Sequence, residues 1–397
     1  MERLKRDEIK ARIERFQGYM RDAGISGAVI LQNVDRFYFS GTIQNSTLFI
    51  PSQGDPVLVV HKSFERAKQE SPLDHIAKGR PKDIKEIIAG LGIRPDGDVI
   101  GMELDVVPVG IYLRYQKILD GFRILDISEA IRKTRMIKSD YEIEQLKRAT
   151  KVLDENLYEV QEILKPGITE IEVDAYLGYL IRKKGHMGMM RMRGWNQEMM
   201  YVHVLSGKTG AMISFLNSPQ GGDGTCPAMA QGAGFKVIQE NEPIIIDHGV
   251  CINGYISDET RTFVIGKLSD DLIKAHECSK EIHNFFLENA RPGVYCHDLY
   301  FKALDIAKNR GLDEYFMGYG EGKVRFIGHG VGLEIDEYPL IAPHFKEPLQ
   351  ERMVLAFEPK FIIPGKGAIG LEDMYLINAS KAERITRIEQ QIFEIRP

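Results

Sequence analysis

Three stretches of the chain place acidic residues or a histidine inside runs that otherwise read as buried strands: IIIDHGVCINGYISDETRTF, FIGHGVGLEIDEYP and LAFEPKFIIPGKGAIGLEDMYLI. A charge in such a run is costly unless it is paired or bound to metal. In the first stretch Asp247 ends an isoleucine run and Asp258 follows eleven residues later, with Asn253-Gly254 between them as a hairpin turn that brings the two carboxylates together. In the second, His329 stands between Gly328 and Gly330, which permit close backbone approach on both sides of the ring. In the third, Glu358 and Glu372 are fourteen residues apart across the Pro364-Gly365 turn, so a second hairpin can face the first. Four carboxylates and one imidazole in one core repel one another unless cations neutralise them, and two divalent ions would do so. Donors rich in oxygen, with one nitrogen and no thiolate, suit Mn or Co, with Fe or Zn also compatible, in hydrolytic chemistry. Two ions roughly 3.5 to 4 Å apart can hold a bridging hydroxide as nucleophile and polarise the bond it attacks.

The elements that must position these residues are legible in the hydrophobic periodicity. Ile9, Ile13, Phe16 and Met20 share one helical face, and that helix is expected to end at Gly24. Short apolar runs at Gly27–Leu31, Thr47–Pro51, Val57–His61 and Val99–Leu104 read as strands of an α/β domain. Ser139 with Glu142 three residues later predicts a helix start, and a helix from Asp140 to about Leu164 is expected, with Ile143, Leu146, Leu153, Leu157 and Val160 on its core side and Pro166-Gly167 as its stop. The domain boundary is placed just before it, giving domains 1–132 and 133–397. A helix near Glu170–Lys184, a strand at Pro243–Asp247 and two helices between Asp270 and Arg310 should follow, with the last quarter built of sheet and tight turns.

Composition restricts the function classes. The 397 residues are 43% hydrophobic and 27% charged, an ordinary balance for a chain that buries a real core. Lys plus Arg is 52 against 57 for Asp plus Glu, a formal charge of −5, which makes nucleic acid a poor partner. The four cysteines show neither a C-x-x-C pair nor the density of a disulfide scaffold, so a reducing, cytoplasmic setting fits. The charged N-terminus and the lack of any apolar stretch near eighteen residues argue against export and membrane insertion.

The order Asp, Asp, His, Glu, Glu in these contexts resembles the creatinase and prolidase pattern of peptidase family M24. The resemblance covers nearly the whole chain: Arg12–Pro51 is similar to the creatinase-type N-terminal domain, and the part from Ile137 to the catalytic domain. It implies an α/β N-terminal creatinase-type domain followed by an α+β pita-bread catalytic domain, and a homodimer. It also implies that Asp247, Asp258, His329, Glu358 and Glu372 are the metal ligands of a pair of divalent ions, with Asp258 and Glu372 bridging both and Glu358 placed to shuttle a proton. The function so implied is that of a dinuclear metallohydrolase of the Xaa-Pro dipeptidase or aminopeptidase type, acting on a small peptide.

Two positions depart from that pattern. Proline peptidases of the family carry a histidine seven residues after the metal-binding one, where this chain has Asp336, and another about seventeen residues before the first metal Asp, where it has Ala230. The nearest upstream imidazole is His203, forty-four residues before Asp247. Asp336 therefore opens an alternative: a hydrolase or lyase acting on a small carboxylate compound, with Asp336 as base. The family's lyase branch also has an extra metal-binding Asp where this chain has Gly249. A further alternative is a non-catalytic binding protein on a peptidase scaffold. Arg191 and Arg193, among methionines in MGMMRMRGWNQEMMYVHV, can clamp a substrate carboxylate or be solvated arginines of a core strand. His248, next to Asp247 in a regular strand, should face the other way and pack. SGKTG at Ser206–Gly210 is not a phosphate loop, because the first glycine such a loop requires falls on Val202.

Overall fold

A computed structural model describes residues 3–397, so the first two residues of the expected N-terminal domain lie outside the described residues. The chain forms two compact units, one ending at Arg135 and the other beginning at Met136.

The first unit is a six-stranded mixed sheet with helices. Its strands are β1 (Gly27–Ile30), β2 (Ser46–Pro51), β3 (Val57–Val60), β4 (His75–Lys78), β5 (Val99–Met102) and β6 (Arg123–Asp126), in the order β4-β3-β2-β1-β5-β6. The opening helix, Arg6–Asp22, buries Ile9, Ile13, Phe16 and Met20, the face that their spacing predicts. Gly24 follows it with φ +66°, a left-handed turn that glycine adopts without a side-chain clash. Val29, Phe49 and Val59 of the inner strands pack with Ile84, Ile88 and Tyr115 from helices and with Leu119 just after a helix end. β4 and β6 are the sheet edges and are half exposed, so they carry little of the apolar alternation by which the inner strands are recognised.

In the second unit the helix Asp140–Glu159 starts where the capping box predicts: Glu142 N donates to Ser139 Oγ at 3.1 Å, and Ser139 N donates to Glu142 Oε2 at 3.0 Å. It buries Leu146, Leu153 and Leu157, and a single 3-10 turn at Val160–Glu162 closes it before Pro166. Helices Glu170–Lys183, Asp270–Asn289 and Cys296–Asn309 also form. The remaining strands are β7 (Val202–Ser206), β8 (Ile244–Ile252), β9 (Tyr255–Ile265), β10 (Gly328–Gly330), β11 (Glu337–Leu340), β12 (Val354–Phe357), β13 (Lys360–Ile363), β14 (Gly367–Gly370), β15 (Asp373–Ile377), β16 (Ala382–Arg384) and β17 (Phe393–Ile395). They make a four-stranded sheet, β17-β9-β8-β7, a five-stranded sheet, β11-β10-β12-β15-β16, and the hairpin β13-β14. A single antiparallel bridge, Thr260 with Glu372, links the first of these sheets to the turn between β14 and β15. Behind the strands Arg261 donates to Asp373 at 2.6 Å with both side chains fully buried, and Phe286 stacks on Phe357 at 4.1 Å.

Candidate metal centre

Backbone register brings the site together. In the β8-β9 hairpin Asp247 lies opposite Thr260 and Gly249 opposite Asp258, so the two carboxylates are diagonal neighbours on one face. The turn between the strands is Asn253-Gly254, both with positive φ, as a tight two-residue hairpin needs. On the other side of β8, His203 of β7 lies opposite Asp247. Thr260 pairs in turn with Glu372, and its Oγ1 donates to Glu372 Oε2 at 2.8 Å. His203, Asp247, Thr260 and Glu372 therefore form one row across four neighbouring stretches of chain. The glycines beside His329 act as their position suggests: a Cβ on Gly328 would lie 2.8 Å from Ala356 O, and one on Gly330 only 2.0 Å from Tyr338 O. Glu358 is held beside this strand by its own N–H, which donates to Ile327 O at 2.9 Å.

His329 Nε2 is 3.9 Å from Asp258 Oδ2, 3.8 Å from Glu358 Oε1 and 3.9 Å from Glu372 Oε1. Asp258, His329 and Glu372 each present a donor atom within 4.8 Å of the others, all buried, a spacing that can hold a metal ion. Glu372 Oε1 is buried and has no hydrogen-bond partner among the described residues. An unsatisfied carboxylate oxygen beside an imidazole nitrogen fits one divalent cation, because a cation is what that oxygen lacks.

Lys360, which the sequence reading passed over, occupies the other side of the same cluster. Its ammonium donates to Glu358 Oε2 at 2.8 Å, Asp247 Oδ2 at 2.9 Å and Glu372 Oε2 at 3.0 Å. Gln220, from the Gly-rich loop before β8, donates to the same Asp247 oxygen at 2.9 Å. A lysine two residues after Glu358 in an otherwise apolar run is a visible signal for the first. Gln220 is not recoverable from sequence, since its loop has no periodicity to say what it faces.

The electrostatics follow from this crowding. Burial, then Glu372 and Asp247, push the Asp258 carboxyl well above the ordinary range. Burial also raises Glu372, to about 7. For Asp247 burial acts upward too, but Lys360 and then His203 outweigh it and hold the group below its usual value. Burial alone would discharge Lys360, yet Asp247, Glu358 and Glu372 keep it charged far into alkaline pH.

The model for metallopeptidase family M24 matches residues 144–379, and that for the creatinase/prolidase N-terminal domain matches residues 12–137. The chain belongs to family M24. Among its relatives in M24 is the Xaa-Pro dipeptidase of Pyrococcus furiosus, 28% identical over 97% of this chain and 100% of that protein. The Xaa-Pro dipeptidase structure from Bacillus anthracis superposes with a TM-score of 0.83 at 24% identity, covering 97% of this chain and 99% of that one. The prolidase of Pyrococcus horikoshii OT3 gives 0.80 at 26%, covering 96% and 100%. The second unit thus has the pita-bread fold of the M24 prolidases, preceded by a creatinase-type domain.

Against the M24 pattern the two missing histidines have different structural outcomes. Ala230 is exposed, and the imidazole opposite Asp247 is His203, which lines a small cavity with Asp247, Asp258, Met190, Met200 and Ile335. Asp336 lies on the far side of the imidazole, its Oδ1 3.6 Å from His329 Nδ1, with its side chain 43% exposed. A Cβ on Gly249 would lie 2.4 Å from Met190 Cε, so the methionine occupies the space in which a ligand at 249 would project. Arg193 is buried and faces Glu334 at 3.7 Å, and neither it nor Arg191 is among the residues that line the cavity. His248 faces away from the site, between Asn156 Nδ2 and Tyr201 O at 2.7 Å each, and burial pushes its imidazole down to about 4. All four cysteines are free, and no helix among the described residues is long and apolar enough to cross a membrane.

Proposed function

We propose that this chain is a metal-dependent hydrolase of the Xaa-Pro dipeptidase or aminopeptidase type. The observation that carries the reading is the buried meeting of Asp258, His329 and Glu372, with a Glu372 oxygen left unsatisfied, on the scaffold of proteins named Xaa-Pro dipeptidase. Asp247, Asp258, His329, Glu358 and Glu372 are proposed as the metal-holding set, and residues from about 133 onward as the catalytic domain. A divalent ion bound there supplies Lewis-acid polarisation of a carbonyl and a more acidic water. Mn or Co suits the oxygen-rich donors, with Fe and Zn next.

The chain's own groups have separable tasks. Glu358, with Oε1 toward His329 and Oε2 on Lys360, is placed to take a proton from water and return it to the leaving amine. His329 Nδ1 donates to Gly330 O at 3.2 Å, the tautomer that leaves Nε2 free as a ligand, and Asp336 lies 3.6 Å from the same nitrogen, where its charge supports the ring. Met190, Met199 and Met200 give the small cavity beside Asp247 and Asp258 a soft, adaptable wall. Asp336, open to solvent where proline peptidases have an imidazole, favours a second reading: a hydrolase or lyase of a small carboxylate compound. Arg191 is the clamp open to that reading, since Arg193 is engaged with Glu334. A cytoplasmic homodimer is proposed as the working form, the free cysteines supporting a reducing compartment.

The test is hydrolysis of Xaa-Pro dipeptides and tripeptides by metal-stripped protein reloaded separately with Mn, Co, Fe and Zn. Metal-dependent cleavage is expected. Tight metal binding with no cleavage of any member of the panel would overturn the peptidase reading in favour of the small-carboxylate one.

A further inference from the structure

The ammonium of Lys360 makes three hydrogen bonds, to Asp247 Oδ2 at 2.9 Å, Glu358 Oε2 at 2.8 Å and Glu372 Oε2 at 3.0 Å. A lysine has three N–H donors and no acceptor, so its capacity is filled by three of the five expected metal ligands. The side chain is 1% exposed, and the fold makes room for its stem. Lys360 opens β13 opposite Gly370 of β14, where a Cβ would stand 3.2 Å from Lys360 Cγ and 2.7 Å from Pro359 O.

The carboxylates divide their oxygens accordingly. Glu372 gives Oε2 to Lys360 and Thr260 and leaves Oε1, without a hydrogen-bond partner among the described residues, 3.9 Å from His329 Nε2. Glu358 gives Oε2 to Lys360 and turns Oε1 toward the same imidazole at 3.8 Å. The cluster therefore has two cation positions, one already filled by a side chain. A second dication beside the ammonium would need the same oxygens of Asp247 and Glu358 and would repel the charge already there. One ammonium and one dication together offset three of the four negative charges of Asp247, Asp258, Glu358 and Glu372, whereas an ammonium with two dications would exceed them.

We infer that Lys360 stands in for one ion of the expected pair, so that the centre takes a single divalent cation on Asp258, His329 and Glu372. The inference rests on the metal-dependent reading above and replaces the pair of ions that the sequence suggests. In this arrangement the ammonium keeps the Asp247 side of the site preformed without metal. It also sets a fixed positive charge, in place of an exchangeable ion, beside Asp247, which lines the cavity with Asp258.

The test is the stoichiometry of Mn bound to metal-stripped protein, by calorimetric titration and by elemental analysis after desalting, for the native chain and for Lys360→Gly and Lys360→Met. One Mn per native chain and two per Lys360→Gly chain is the expected result. Lys360→Met, which keeps the length and loses the charge, should lower the Tm of the metal-free protein by about 10 °C, because a partner of buried carboxylates is removed. Added Mn should then raise its Tm more than it raises that of the native chain. Two Mn per native chain, or none, would overturn the inference, and the native count decides this even if the glycine variant does not fold. Turnover of Xaa-Pro peptides is measured separately: one Mn per chain without turnover upholds the inference and rejects only the peptidase assignment.

Discussion

Thr260 and Glu372 are joined twice, by an antiparallel backbone bridge and by a 2.8 Å hydrogen bond from Thr260 Oγ1 to Glu372 Oε2. This pairing lays a carboxylate from the turn after β14 beside the β8-β9 hairpin. It also turns one Glu372 oxygen toward Lys360 and the other toward His329. Thr260→Val keeps the β-branched shape and removes the donor. It should cost about 1 to 2 kcal/mol of stability and weaken Mn binding about tenfold or more, because the carboxylate loses its second anchor. Urea unfolding with and without Mn, and calorimetric titration, check both numbers.

Asp258→Ala and Glu372→Ala should each weaken Mn binding by more than about 100-fold and abolish turnover together, since each removes one of the three converging donors. The metal-free variants should fold, because the loss of a carboxylate relieves repulsion that pushes Asp258 and Glu372 above their ordinary range. Elemental analysis and peptide hydrolysis on the same samples check the link. A variant that kept full activity would remove its residue from the set.

Asp336 distinguishes the two functional readings. As a group that positions His329 through Nδ1, its replacement in Asp336→Asn should weaken Mn affinity about tenfold and leave kcat at saturating Mn close to native. As a catalytic base it should do the reverse, losing about 100-fold or more in kcat with unchanged affinity and an altered pH profile. Titration and steady-state kinetics over pH separate these outcomes.

Gly330→Ala should destabilise the second unit by about 2 to 3 kcal/mol. Its added Cβ would meet the backbone oxygen of Tyr338 at 2.0 Å, and a main-chain atom in a paired strand moves only if the β10-β11 pairing shifts. His329 lies one residue away, so Mn affinity should fall with stability. Gly54→Ala, where a Cβ meets nothing within 4 Å but φ is +95°, serves as a comparison for backbone strain without a clash.

His276 gives a pH dependence remote from the carboxylate cluster. Burial pushes its imidazole from 6.5 to about 4, its Nε2 lying 3.3 Å from Gln390 O. The folded value is below the unfolded one, so the unfolded chain takes up the proton first. The contribution is complete above about pH 6.5 and is lost as pH falls toward 4. His276→Gln should therefore lose less stability than the native chain on acidification, the gap growing by up to about 1.4 kcal/mol per pH unit across that window. Denaturant unfolding at several pH values checks it, and parallel curves would reject the assignment.

Much of this was written in local sequence. The capping box at Ser139 and Glu142, the Asn253-Gly254 hairpin and the helical face of Ile9, Ile13, Phe16 and Met20 each depend on residues within one turn or one helix, so spacing alone reveals them. The five candidate ligands were legible for a related reason: charges interrupting apolar runs need a partner, and their order and contexts resemble those of a known family. The edge strands β4 and β6 were not legible, because half-exposed edges carry no clear alternation.

Other features required the tertiary structure. That His203 rather than Ala230 faces Asp247 depends on β7 pairing with β8 across forty-four residues of chain, and no local rule encodes such a register. Gln220 reaches Asp247 from a loop without periodicity. Asp247, Asp258, His329, Glu358 and Glu372 are readable as buried polar residues because each interrupts an apolar run, a local pattern. That the Lys360 ammonium meets three of the carboxylates is seen only in the fold, since where a long side chain ends depends on the three-dimensional path of the chain.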